Sequence, residues 1–119
     1  MDPKLQPLSI VSGWLIEWNQ FYEIEPSDDT MQYFDSSSLL HLSNHHALRA
    51  IDLEWRPEAD ANGEFVLRFL KLEREVNPKS KKVTYGGDWE NPLFEIRSKK
   101  RLEIVGQVEA LCLTHKPKF

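Results

Sequence analysis

Histidine is the side chain whose ordinary pKa lies closest to neutrality, and three of the four histidines here, His41, His45 and His46, fall between positions 41 and 46. Such a cluster has the donors for a metal or a proton-transfer centre. Neighbouring imidazoles on an extended segment point apart, however, and no cysteine or adjacent carboxylate completes a ligand set. The pair at 45–46 is therefore read as a solvated hairpin end, and no metal is expected. The single cysteine, Cys112, cannot form an internal disulfide, and on a helix face it behaves as a small buried hydrophobe. Arg97, Lys99, Lys100 and Arg101 crowd the start of a closing helix. They either form a solvated first turn offset by Glu103 or join the free N–H groups in holding an anion.

The motifs that would make an enzyme are missing. Gly86-Gly87 stands alone rather than in phosphate-loop spacing, and no His-Glu-x-x-His, Cys-x-x-Cys or Gly-x-Ser-x-Gly occurs. Nothing in the spacing of the acids selects one pair for acid–base work. The chain is read as non-enzymatic, with no cofactor.

Charge carries more information. The net charge of −4 is unevenly distributed: residues 1–48 hold seven acids (Asp2, Glu17, Glu23, Glu25, Asp28, Asp29, Asp35) and one base, whereas residues 49–119 hold twelve acids and fourteen bases. An acidic front repels nucleic acid and favours a basic partner. The candidate contact residues are Glu23, Glu25, Asp28, Asp29 and Asp35, with Tyr22, Tyr33 and Phe34 as aromatic anchors. Trp89 and Glu90, beside Pro92 on a loop, form a second candidate surface. The alternative is nucleic-acid binding through a basic patch of Lys71, Arg74, Lys79, Lys81 and Lys82 with the segment 97–101, using Tyr85 and Trp89 for stacking. A further possibility is homo-oligomerisation through an exposed sheet edge.

The elements that must position these residues are organised around Ala47–Leu72. Alternation places Ala47, Arg49, Ile51, Leu53 and Trp55 on one face of a strand and Leu48, Ala50, Asp52, Glu54 and Arg56 on the other, expected to face water. Pro57 ends the ladder, and Asp60-Ala61-Asn62-Gly63 turns the chain into a return strand, apolar on nearly both faces and so central. Leu39–Ser43 is expected as an earlier strand. Val83–Tyr85 begins another, broken by Gly86-Gly87-Asp88, and Leu93–Ser98 is the last. The spacing of Val11, Trp14, Leu15, Trp18, Phe21 and Tyr22 predicts a helix over Leu8–Ile24, ended by Pro26. Thr30–Phe34 is either one helical turn or an irregular loop. A closing helix from about Lys99 to His115, capped by Ser98, carries a stripe of Leu102, Val105, Val108, Leu111 and Cys112, with Ile104 beside it.

The expected fold is one α+β domain over residues 1–119, an antiparallel meander of four or five strands with both terminal helices on one face. Its core is expected to hold Trp14, Leu15, Trp18, Phe21, Ile51, Leu53, Phe65, Leu67, Phe69, Phe94, Ile96, Val105, Val108 and Leu111. With no apolar run of membrane-spanning length and no signal-like start, a cytoplasmic location is expected, without membrane contact.

Two pieces of the chain, GWLIEWNQFYEIEP and GGDWENPLFEIRSKKRLEIVGQVEALC, together about forty residues, resemble small bacterial immunity proteins of the polymorphic-toxin and contact-dependent-inhibition type. The resemblance implies a cytoplasmic protein that binds one cognate toxin, such as a basic nuclease domain, and occludes its active site. It implies no catalytic residues.

Overall fold

The computed structural model describes residues 3–114. Its centre is the hairpin expected from the alternation: β3 (Arg49–Arg56) pairs antiparallel with β4 (Glu64–Val76), Ile51 opposite Phe69 and Trp55 opposite Phe65. To complete the strand set, β1 is Leu15–Asn19, β2 is Leu40–Asn44, β5 is Val83–Gly87 and β6 is Phe94–Ser98. The five strands β1 to β5 follow one another across a six-stranded sheet, and β6 also pairs with β4. This is possible because β4, at 13 residues, is longer than any of its neighbours. Its first part, Phe65–Phe69, is paired with β6 and its last part, Leu72–Val76, with β5. The β4–β5 hairpin thus leaves the sheet as a two-stranded arm tipped by Lys79, Lys81 and Lys82, all exposed.

One face of the sheet carries the main core. Leu40, Leu42, Ile51, Leu53, Trp55, Phe65, Leu67 and Phe69 pack against Trp14, Phe21, Met31, Phe34 and the helix residues Ile104, Val108 and Cys112. The helix α1 runs from Arg101 to Thr114; its first turn is closed on the Lys100 carbonyl, which accepts the Ile104 N–H at 3.2 Å, so Lys100 holds the cap position expected of Ser98, and the Ser98 hydroxyl accepts the Lys100 N–H at 3.0 Å just ahead of the helix. The buried stripe is Ile104, Val108 and Cys112, one turn apart, with Val105 and Leu111 flanking it. Leu102, expected in the stripe, is 67% exposed. The residue His115, the expected helix end, lies outside the described residues.

The expected helix over Leu8–Ile24 is replaced by an extended segment and the edge strand β1. Two features of the sequence oppose a helix there. Gly13 interrupts it and adopts a positive φ, 102, and the segment is rich in β-branched and aromatic residues. The spacing of Trp14, Trp18 and Phe21 comes from a kinked extended chain. Trp14 and Phe21 turn inward, and the Trp14 indole donates to the Cys112 carbonyl at 3.2 Å. Leu15 and Trp18, expected in the core, are 52% and 47% exposed, and Phe94 on β6 is 40% exposed. Preceding β1, the stretch 5–11 straps across the core face, bridging Leu5 to Tyr22 and packing Leu8, Ile10 and Val11 on the cluster. The strand β5 ends at Gly87, so the glycine pair forms its last two residues and the break falls at Asp88, and Thr30–Phe34 contains one short 3₁₀ turn, Met31–Tyr33.

Within the β3–β4 turn, the positive φ belongs to Ala59 (φ 54), and Gly63 serves a different need. A Cβ on Gly63 would lie 2.6 Å from the Arg56 carbonyl oxygen and 2.8 Å from the Trp55 indole nitrogen. The chain must pass this close for the Trp55 indole to donate to the Asp60 carbonyl at 2.9 Å. Gly63→Ala is therefore expected to destabilise the fold by about 1–3 kcal/mol, read as a lowered urea midpoint with unchanged slope.

Candidate functional site

The expected contact residues fall on two separate surfaces. Residues 20–38 form a loop across the core face, held from beneath by Phe21, Met31 and Phe34. The Thr30 hydroxyl ties it: it accepts the Ser27 N–H at 2.9 Å and donates to the Glu25 carbonyl at 2.9 Å. Tyr22 and Tyr33 meet edge to face, ring centres 5.6 Å apart, so the loop does bring these two aromatics together. Phe34, the third expected anchor, is instead buried against Trp55 and Phe65. Glu23, Asp28, Asp29 and Asp35 stand exposed, and among the described residues none has a cationic partner. Glu25 differs from them: it is bridged to Arg101 at 2.8 Å, and Arg101 also reaches the Gln6 side chain. Its carboxylate therefore helps pin the loop to α1, and Arg101 is committed to the fold rather than free for an anion.

Trp89 and Glu90 lie on the opposite side of the sheet. This back face was expected to meet water, yet Asp52 and Glu54 are 1% and 8% exposed. Cross-strand partners explain their burial. His41 sits directly opposite Asp52 in the β2–β3 register, and Asp52 opposite Arg68 in the β3–β4 register. Arg68 in turn donates to Glu95 on β6 at 2.9 Å and to Glu54 at 3.1 Å, and Arg56 donates to Glu54 at 2.8 Å. Charges thus alternate in a row across the sheet: Glu17, His41, Asp52, Arg68, Glu95.

The β1 end of this row opens into a cleft. At the β-bulge between Ile16 and Trp18, two residues oppose His41, which brings the Glu17 carboxylate within 3.7 Å of its Nε2. On the other side of the ring, Nδ1–H donates to Asp52 at 3.1 Å, and Asp52 also accepts the Ser38 hydroxyl at 2.8 Å. The hydrogen bond to Asp52 is the main cause raising the His41 pKa above its ordinary 6.5; burial opposes it and Glu17 adds to it. Held between two carboxylates, the His41 ring binds its proton more tightly than a free imidazole. Trp89 stacks over His41 with ring centres 6.0 Å apart, and Tyr85 stacks on His45 at 3.8 Å. The floor is the second apolar cluster, Ala50, Leu70 and Leu72. The cleft, of about 490 Å³, lies where the arm departs from the sheet.

Sequence reasoning found Trp89 and grouped it with Tyr85, but missed Glu17 and His41 beside them. The signal available was the register of the β2–β3 hairpin: with the turn at 45–48, His41 and Asp52 fall opposite one another on one face. Among the described residues, no group of three or more His, Cys, Asp or Glu side chains is arranged to hold a metal ion. Burial pushes the Cys112 thiol up to about 11, as suits a packing residue.

The two basic segments do not meet. Val83 is opposite Val76 and Ser98 is opposite Phe65, so the lysine-tipped end of the arm and the segment after Ser98 flank opposite ends of β4, roughly 36 Å apart at 3.3 Å per residue, with Lys71 and Arg74 in between along β4. Arg97 is also bridged to Glu64 and Glu95. No described helix is long and apolar enough to cross a membrane. Comparison with protein-family models, with curated proteins and with solved structures finds no match to this chain.

Proposed function

We propose that this is a non-enzymatic binding protein whose acidic loop engages a basic surface of a partner protein, and that it acts as an immunity-type inhibitor occluding the active site of a cognate toxin. The observation that carries the reading is the state of the loop carboxylates: Glu23, Asp28, Asp29 and Asp35 are exposed around the Tyr22–Tyr33 pair without cationic partners among the described residues. Like charges held together on a braced loop repel one another, and a basic partner relieves that repulsion. In a nuclease cleft such carboxylates take the positions of substrate phosphates, and the tyrosine pair supplies apolar area at the centre of the contact. The nucleic-acid alternative has less support, because its two basic segments flank opposite ends of β4 and Arg97 and Arg101 are engaged in ion pairs.

The test begins with affinity capture from the native host at low and moderate salt, with nuclease present. A single stoichiometric basic protein is the expected result. The variant Glu23→Gln/Asp28→Asn/Asp29→Asn, which leaves the Glu25–Arg101 bridge intact, should then slow association with that protein about tenfold or more at low ionic strength. Its melting temperature should be unchanged. Association at the wild-type rate would remove the loop from the interface, and capture of nucleic-acid-bound proteins alone would redirect attention to the arm.

A further inference from the structure

We infer that the back-face cleft is a binding site for an organic cation with a planar, π-rich or amidinium-type head and a small apolar body. The site is independent of the acidic loop, which covers the other face of the sheet. Its lining decides the ligand's chemistry. Ala50, Leu70 and Leu72 are 0%, 0% and 4% exposed and form an apolar floor. Tyr85, His45 and Trp89 provide ring surfaces, and Trp89 remains 47% exposed with its indole over His41. Cations are drawn to such rings, most strongly to tryptophan.

Charge narrows the choice. The lining contains no lysine or arginine, while Glu17 is 45% exposed and faces only His41 Nε2, at a distance too long for a hydrogen bond, 3.7 Å. Asp52 lies directly behind His41. Glu17 is thus the carboxylate that the lining presents, and no guanidinium or ammonium group there offsets it. An anion finds neither partner in the lining, and the exposed Glu17 oxygens repel it. A guanidinium or amidinium can donate two parallel hydrogen bonds to the free edge of Glu17 and lay its flat face on an aromatic wall. The volume, about 490 Å³, suits a drug-sized organic molecule.

Two probes of the same shape and opposite charge test the assignment on the full chain: benzamidinium and benzoate, titrated by NMR. Benzamidinium should shift the Trp89 indole and the Gly86 and Gly87 amides saturably, and benzoate should not. Glu17→Gln should weaken benzamidinium about tenfold, and Trp89→Ala a few-fold, with the remaining amide spectrum unchanged. Acetyl-arginine amide, titrated in parallel, separates the sources of the cation. Tighter binding than benzamidinium assigns it to a protein side chain, the reverse to a free aryl cation, and both outcomes support the site. Equal binding of benzoate, absence of saturable shifts with either cation, or an unaltered affinity in Glu17→Gln would overturn it. None of these results depends on the acidic loop.

Discussion

Trp55→Ala is expected to lower the unfolding free energy by about 3–5 kcal/mol, the largest loss from any single side chain in this fold. Trp55 is 1% exposed and touches two rings, Phe34 at 5.1 Å and Phe65 at 5.0 Å between centres. Truncation empties the place where the central hairpin and the acidic loop meet, and Phe34 loses the surface on which the loop rests. It also removes the indole donor from the Asp60 carbonyl, which keeps only the Gly63 N–H, at 2.8 Å, as a partner among the described residues. A domain of this size has only about 5–15 kcal/mol in total, so the variant should be marginal near 37 °C. Denaturant unfolding measures the loss directly. Trp55→Phe should recover about half of it, since the ring contacts survive and only the indole hydrogen bond and part of the area are lost. If Trp55→Ala cost less than about 1.5 kcal/mol, the packing of loop on hairpin described above would be wrong.

The hairpin holding Trp55 is the part of the molecule most legible in the sequence. Strict alternation from Arg49 to Arg56, a stop at Pro57 and a return apolar on both faces specify a central strand pair, and β3 and β4 have that form. The N-terminal region was not legible for a physical reason. Aromatic spacings of three and four arise equally from a helix and from a kinked strand in which Trp14 and Phe21 face inward and Trp18 outward. Gly13 and the β-branched residues around it were the better guide. In the acidic loop, sequence identified the residues but not their partners: Glu25 is neutralised by Arg101, 76 positions away, while its neighbours are not. The cleft was least legible. Its walls come from β1, β2, β5 and the loop after β5, and they converge only because β4 outruns β3 and carries the arm past the sheet. Charged residues at Asp52 and Glu54 suggest a solvated face, yet each is buried under a cross-strand partner that sequence alone does not assign.

The buried member of that row leads to the second large effect. Asp52 is 1% exposed; its Oδ1 accepts from Ser38 and His41, and its Oδ2 is buried without a hydrogen bond among the described residues. Removing the imidazole leaves a buried carboxylate without its ion-pair partner, since Arg68 opposite it is engaged by Glu54 and Glu95, so His41→Leu should destabilise the protein by about 2–3 kcal/mol, somewhat below the fully buried case because part of the ring meets solvent. The double variant His41→Leu/Asp52→Leu should regain most of the loss, because an apolar pair of similar size needs no compensation. Glu17→Gln should change stability by less than about 0.5 kcal/mol, its contact with His41 being long and exposed.

The same pair fixes a direction in pH. The folded pKa of His41 lies above 6.5, so the folded state holds its proton more tightly than the unfolded chain. The resulting stabilisation is fully present below pH 6.5 and disappears as pH rises through the folded value. Melting temperatures of the wild type, referenced to His41→Gln, should therefore fall from pH 6 towards pH 8. A difference that grew with pH would mean that the fold lowers the His41 pKa, against the hydrogen bond to Asp52 and the charge of Glu17.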